Sequence, residues 1–129
     1  MNKLSGTLPL GRYEIVSGGT ITAGDLVCIN SSGKALAAAD EASISVIGVA
    51  AEVEDGFVEV VDGIYGFAND TTAPVARKDR GATAYVKDAK TVAISGGTNA
   101  VAAGIIVDVY DGEVFVDTTP AAVKAAKAN

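Results

Sequence analysis

The chain has 129 residues, with 16 Asp and Glu against 10 Lys and Arg, no His, no Trp and one Cys, giving a formal charge of −6. That length encloses one core without metals or disulfides. Without His and with a lone Cys there is no Ser-His-Asp, Cys-His or zinc-ligand set, and an acidic surface with no Lys/Arg stripe opposes a phosphate backbone, so no enzyme chemistry, cofactor, metal or nucleic-acid partner is expected.

Aromatic residues make up only 5% of the chain, and much of the 49% hydrophobic content is Ala, which buries little area per residue. A core this thin favours oligomerisation. Fifteen Gly and short Val/Ile runs suit short strands joined by tight turns. The expected class is all-β: a compact small β-barrel or β-sandwich with an extended N-terminal arm and a short C-terminal helix.

Residues 1–12 are polar, punctuated by Gly and Pro, and aperiodic, with Leu4, Leu8 and Leu10 as scattered anchors. They read as an arm. A short strand is expected at Tyr13-Glu14-Ile15-Val16, a turn at Ser17-Gly18-Gly19, and a second strand at Thr20-Ile21-Thr22. Ala23-Gly24-Asp25 turns the chain into the apolar run Leu26 to Ile29, and Ser31-Ser32-Gly33 reverses it so that Ala35-Leu36-Ala37 can pair back. The Ala-rich residues 37–42 could instead form a turn of helix, interrupted by Asp40-Glu41.

The next strand covers residues 45–53, with Gly48 as a bulge or close-approach point. Asp55-Gly56 is a hairpin turn, because a tight primed turn needs φ > 0, which Gly adopts freely and Asp tolerates. Asp62-Gly63 follows too soon for another hairpin and reads as a Gly bulge inside one bent strand running through Phe67. Residues 69–81 form a loop. Strands at Thr83-Ala84-Tyr85-Val86 and Thr91-Val92-Ala93-Ile94 flank a turn at residues 87–90, and residues 95–100 are again loop. A last hairpin runs from Ile105 to Tyr110, turns at Asp111-Gly112 and returns through Asp117, with Val107 and Val109 on one face and Val114 and Val116 facing the core from the return strand. Thr119-Pro120 fits an N-cap followed by Pro at the first helical position, opening a short Ala/Lys helix. The divisions are thus residues 1–12, 13–117 and 118–129.

Few residues offer chemistry. Arg77, Lys78 and Arg80, interrupted by Asp79, form the one basic cluster, read first as a solvated loop and second as a contact patch for an acidic partner. Cys28 lies in an apolar run and reads as a small buried thiol. Glu52, Glu54 and Asp55, and likewise Asp108, Asp111 and Glu113, fall in or beside turns, where Asp is turn chemistry and Glu solvent-facing polarity rather than an acid/base pair. No EF-hand spacing is present, and Gly18-Gly19 and Gly96-Gly97 lack the Lys-Ser/Thr of a phosphate loop. Lys87 and Lys90 flank a turn without the sequence context of a biotinyl or lipoyl carrier. The first six residues contain no apolar h-region and no stretch reaches membrane-spanning length, so a protein made in the cytoplasm and not inserted in a membrane is expected.

Residues 20–27, then Ile47-Gly48-Val49-Ala50, residues 58–65, residues 81–86 and residues 104–108 together resemble, in their order, the capsid cement (head decoration) proteins of tailed bacteriophages. Many of these are catalogued only as a domain of unknown function. The resemblance runs over about residues 20–116. Where that family often has Gly-Asp before the later Tyr strand, this chain has Gly81-Ala82. The resemblance implies a β-barrel or β-sandwich on the outer capsid surface of the virion, assembled as a homo-oligomer, a trimer or alternatively a dimer, and bridging major capsid proteins. Its expected contacts are Leu4, Leu8, Leu10, Arg12, Arg77, Lys78 and Arg80. A β-rich carbohydrate-binding or adhesin module is the alternative, and it would draw on Tyr13, Tyr65, Tyr85 and Tyr110, all four of which fall in expected strands.

Overall fold

The computed structural model describes residues 11–128. Within them, ten strands and one helix follow in chain order: β1 (Arg12–Glu14), β2 (Leu26–Ile29), β3 (Ala35–Ala37), β4 (Ser45–Glu54), β5 (Phe57–Val61), β6 (Ile64–Asn69), β7 (Thr83–Asp88), β8 (Thr91–Ala93), β9 (Ala102–Tyr110), β10 (Glu113–Asp117) and α1 (Pro120–Lys127). The fold is all-β with one short C-terminal helix, as the composition implied.

The strands divide into two groups of five. The first is a sheet in the order β1-β5-β4-β2-β3, and the second is a closed ring, β10-β6-β8-β7-β9. A single parallel bridge between Ile15 and Ala35 brings the ends of the first sheet together as well. Followed from β6, the ring runs β6-β10-β9-β7-β8, which is the order of the first sheet with each strand number raised by five.

The correspondence extends to single residues. Val53 pairs with Val58, Glu52 with Glu59 and Ala50 with Val60 in the β4–β5 hairpin; adding 56 to each number gives Val109 with Val114, Asp108 with Phe115 and Ile106 with Val116 in the β9–β10 hairpin. Gly24 N–H donates to the Ala50 carbonyl and Ala50 N–H to the Asp25 carbonyl, both at 2.8 Å. The matching bonds, Gly81 to Ile106 and Ile106 to Ala82, measure 2.8 and 2.9 Å. The fold is therefore one five-stranded unit built twice.

Each unit turns on the same two devices. Asp55 and Gly56 have φ of 52° and 79°, and Asp111 and Gly112 have 52° and 80°, the primed-turn geometry that matches the twist of a two-residue hairpin. Seven residues before each Asp stands a glycine at a strand bulge, Gly48 (φ 146°) and Gly104 (φ 151°). A Cβ at Gly48 would lie 2.3 Å from the Val61 carbonyl oxygen, and one at Gly104 would lie 2.0 Å from that of Asp117. Only glycine lets the backbones approach this closely.

Packing explains the apolar run of β2. Val27 faces a small core inside the first unit with Ile21, Ala35, Ala50 and Val58. Leu26 and Cys28 point the other way, into the larger core that holds Phe67, Ile106, Val114 and Val116 of the second unit and Val123 of α1. A strand covered on both faces needs apolar residues at every position, so alternation is lost there.

Four expectations are corrected. Thr20-Ile21-Thr22 is not a strand: the Asp25 carboxylate accepts from Thr22 N–H at 2.9 Å and folds the segment into a turn, with only Ile21 buried. Asp62-Gly63 does bend the chain, but β5 and β6 belong to different sheets, so it is a crossover between the units rather than a bulge within one strand. Val107 does not share the core face with Val109, because the bulge opposite Phe115 and Val116 inserts a residue and gives that place to Ile106. Arg12 belongs to β1, so the domain begins one residue before the division drawn from sequence.

Candidate functional site

The crossover and the helix are fastened by one side chain. Thr118 is fully buried; its hydroxyl donates to the Gly63 carbonyl at 2.8 Å and accepts from Gly63 N–H at 3.2 Å. Thr119 then caps α1, accepting from Ala122 N–H, with Pro120 at the first turn as expected. Ala122, Val123 and Ala126 bury one face of the helix. A groove of about 440 Å³ lies between α1 and the first sheet, lined by residues that include Tyr13, Ile47, Val60, Lys124 and the first described residue, Gly11.

The β4–β5 hairpin reaches past the packed body. Residues 51–57 are all exposed, including Val53 at 39% and Phe57 at 37%. Phe57 and Glu59 lie on one face of β5, opposite Glu54 and Glu52, and Arg12 on β1 is opposite Glu59. The Arg12 guanidinium sits 4.7 Å from the Phe57 ring centroid, a cation–π contact on a surface that also carries three carboxylates. Glu52 faces Glu59 directly, and like charges in that position destabilise a strand pair.

The basic cluster forms a single turn of 3-10 helix, Arg77–Asp79, laid against β9. Arg77 holds Asp108 by two bonds, at 2.9 and 3.3 Å, and Arg80 donates to the Val107 carbonyl at 3.1 Å. Hydrogen bonding from Arg77, then from Val109 N–H, holds the Asp108 carboxyl below the usual carboxylate range, and the same pairing raises Arg77. Lys78 is exposed and enters no ion pair among the described residues. The seven contact residues expected from sequence are therefore not gathered in one place. Arg12 is on the first unit, Arg77, Lys78 and Arg80 are on the second, and Leu4, Leu8 and Leu10 lie outside the described residues.

The remaining reactive groups serve the fold. Cys28 is buried, and burial first and the negative charge of Glu41 second push its thiol up to about 12. Lys90 bonds the Asp25 carboxylate, which is only 6% exposed, and Lys87 approaches Asp70 at 3.8 Å. Asp40 accepts from Asn99 N–H at 2.7 Å and Thr98 N–H at 2.9 Å, which together draw its carboxyl below the ordinary value and fix the loop at residues 95–100. Tyr13, Tyr65 and Tyr85 are half-buried in strands, while Tyr110 is 68% exposed. Among the described residues no group of three or more His, Cys, Asp or Glu is placed to hold a metal ion, and no helix is long and apolar enough to cross a membrane.

Sequence reading missed the hairpin face as a site because it treated Glu52 and Glu54 as ordinary strand polarity. The available signal was the spacing: Gly48 to Asp55-Gly56 repeats as Gly104 to Asp111-Gly112, 56 residues later. Comparison of the chain with protein-family models, with curated proteins and with solved structures finds no match.

Proposed function

We propose that the protein is a non-enzymatic capsid decoration (cement) protein, which binds the outer surface of an assembled phage shell as a small symmetric oligomer and stabilises it by bridging major capsid proteins. The order of its motifs resembles that class. The observation that carries the reading is the exposed β4–β5 hairpin, whose apolar Val53 and Phe57 gain little from the monomer's own packing.

Such a role needs a rigid scaffold, an acidic surface and an accessible apolar face, and asks for no acid, base or nucleophile. The doubled unit supplies rigidity: the long hairpin of each is pinned by a bulge glycine and a two-residue turn. Covering Phe57 and Val53 on a partner would release water from apolar surface, and the surplus over ordering costs sets the affinity. A glycan-binding role draws on platforms of exposed aromatic rings, and of the four tyrosines only Tyr110 is largely exposed.

Co-sedimentation with expanded capsids tests the proposal directly. The protein is expected to pellet with the shells and to raise their melting temperature. Protein that stays in the supernatant and leaves shell melting unchanged overturns it. Removing residues 1–10, which leaves β1 intact, is expected to weaken attachment without altering the fold; equal binding by the truncated protein removes the arm from the interface. A glycan array is expected to be blank.

A further inference from the structure

The two units differ in what covers equivalent hairpin faces. Adding 56 carries Glu52, Glu54 and Ala51 of the first hairpin onto Asp108, Tyr110 and Val107 of the second. In the second unit this face is occupied: Arg77 clamps the Asp108 carboxylate and Arg80 caps the Val107 carbonyl. The segment that supplies those arginines precedes Gly81. Its counterpart before Gly24 is Thr20-Ile21-Thr22-Ala23, which carries no charge. The first hairpin therefore presents the same acidic position without a counterpart of Arg77, with Glu54 and Glu59 beside it and with Arg12, stacked on Phe57 and in no ion pair among the described residues, as the one cation lining the face.

Three features agree on what fits there. The Glu52–Glu59 like-charge pair is relieved by a cation. The Phe57 ring already takes one guanidinium, that of Arg12, on its face. The second unit shows the pairing completed within the same fold. We infer that the outer face of the first Asp-Gly hairpin, centred on Glu52, Glu54 and Phe57, is a docking surface for an arginine-bearing segment of a partner protein.

A second copy of this chain is poorly equipped to be that partner. Each of its described arginines is already engaged: Arg77 is paired with Asp108, Arg80 holds a carbonyl and Arg12 stacks on Phe57. Of the described lysines, Lys34, Lys87 and Lys90 form ion pairs within the chain and Lys127 donates to Ser45, which leaves Lys78 and Lys124 exposed without an ion pair but no unengaged guanidinium. The docking surface stands on the comparison of the two units. The identity of the partner as capsid protein rests on the proposed function.

The test uses the full chain and, as probe, a synthetic peptide of residues 75–81, the segment that fills the equivalent place in the second unit. Amide resonances of residues 51–59 are expected to shift saturably on titration. Glu52→Gln with Glu54→Gln is expected to weaken peptide binding by about tenfold, as the loss of two charge-assisted contacts implies, while leaving the other resonances in place. No saturable shift, shifts confined to the surroundings of Asp108, or unchanged binding by the double variant overturns the inference. Loss, in the same variant, of a self-associated species seen by sedimentation velocity overturns the assignment to a different protein and makes the occupant a second copy. If the peptide docks at the hairpin but wild-type protein never pellets with capsids, the surface stands and the cement reading falls.

Discussion

Gly104→Ala separates two costs that are usually mixed. Gly112, at the hairpin tip, has φ of 80° and no atom within 4 Å of an added Cβ, so Gly112→Ala meets only the left-handed backbone penalty of about 1–2 kcal/mol. Gly104 has φ of 151°, and its added Cβ would lie 2.0 Å from the Asp117 carbonyl oxygen. Neither atom belongs to a side chain that can swing away, so β9 and β10 must separate locally. That overlap adds about 2–3 kcal/mol, as overpacking in a closed structure does, for a total near 3–5 kcal/mol. With an unfolding entropy of roughly 2.1 cal/mol/K per residue, a 129-residue chain shifts by about 4 °C for each kcal/mol. Gly112→Ala is expected to lower Tm by about 4–7 °C and Gly104→Ala by about 11–18 °C, followed by circular dichroism at neutral pH. Because the units are equivalent, Gly48→Ala, whose Cβ would meet the Val61 carbonyl at 2.3 Å, is expected to fall with Gly104→Ala. Melting of Gly104→Ala within about 3 °C of Gly112→Ala would refute the close-approach argument.

Thr118→Val keeps the shape of a buried side chain but strands the Gly63 N–H, while the Gly63 carbonyl keeps the bond from Thr118 N–H at 2.7 Å, so a loss of about 1–3 kcal/mol, or about 4–11 °C in Tm, is expected, and an unchanged melt would show that the crossover needs no latch. Cys28 is expected to resist a thiol-specific reagent at pH 8 in the native protein and to react at once in denaturant; rapid native labelling would contradict its burial and its raised pKa. Asp40 has a folded pKa below its ordinary value of 3.8, so the loop contacts it makes contribute stability above that value and lose it as pH falls through the lower folded value. Protection of the Thr98 and Asn99 amides, relative to the unstructured rate at the same pH, is expected to fall in that acid range for the wild type and to be low at neutral pH in Asp40→Asn or Asp40→Ala; protection that ignores both pH and substitution would remove Asp40 as the clamp.

The local chemistry of the turns was legible because it is written in single residues. Asp55-Gly56 and Asp111-Gly112 demanded positive φ, and Thr119-Pro120 announced a helix start. Gly48 also declared itself, since a glycine inside a valine-rich strand weakens that strand unless the backbone needs the space a Cβ would fill. The pairing of strands was not legible. β6 and β8 run parallel and meet across more than twenty residues of chain, and nothing local in either strand specifies that partner. Val107 was misplaced for a related reason: one bulge residue flips every later side chain, and a bulge without glycine leaves no mark in the pattern. The hairpin face escaped notice because its meaning lies in comparison. Glu52 is an ordinary strand glutamate until its counterpart, Asp108, is seen under an arginine.

The same comparison bears on Gly81-Ala82. In the first unit the equivalent residues are Gly24 and Asp25, and the Asp25 carboxylate reaches out of its own unit to bond Lys90 of the second, beside a backbone bond from Leu26 N–H to the Ala89 carbonyl at 2.8 Å. The strand pairs Cys28–Leu36 and Ile29–Ala35 match Tyr85–Ala93 and Val86–Val92, 57 residues later, so the residue equivalent to Lys90 is Gly33, which has no side chain to reach position 82. Position 82 is Ala, and the neighbouring Lys34 pairs with Glu14 of its own unit at 2.9 Å. The units thus share a fold but not a contact: one carries a carboxylate that clasps across the interface and the other has none at that place. An asymmetric clasp lets the two hairpins serve different ends. The second is sealed by the arginines that precede Gly81, while the first, with only uncharged residues at 20–23 and Arg12 stacked on Phe57, leaves Glu52 without that clamp and open to a cation from outside.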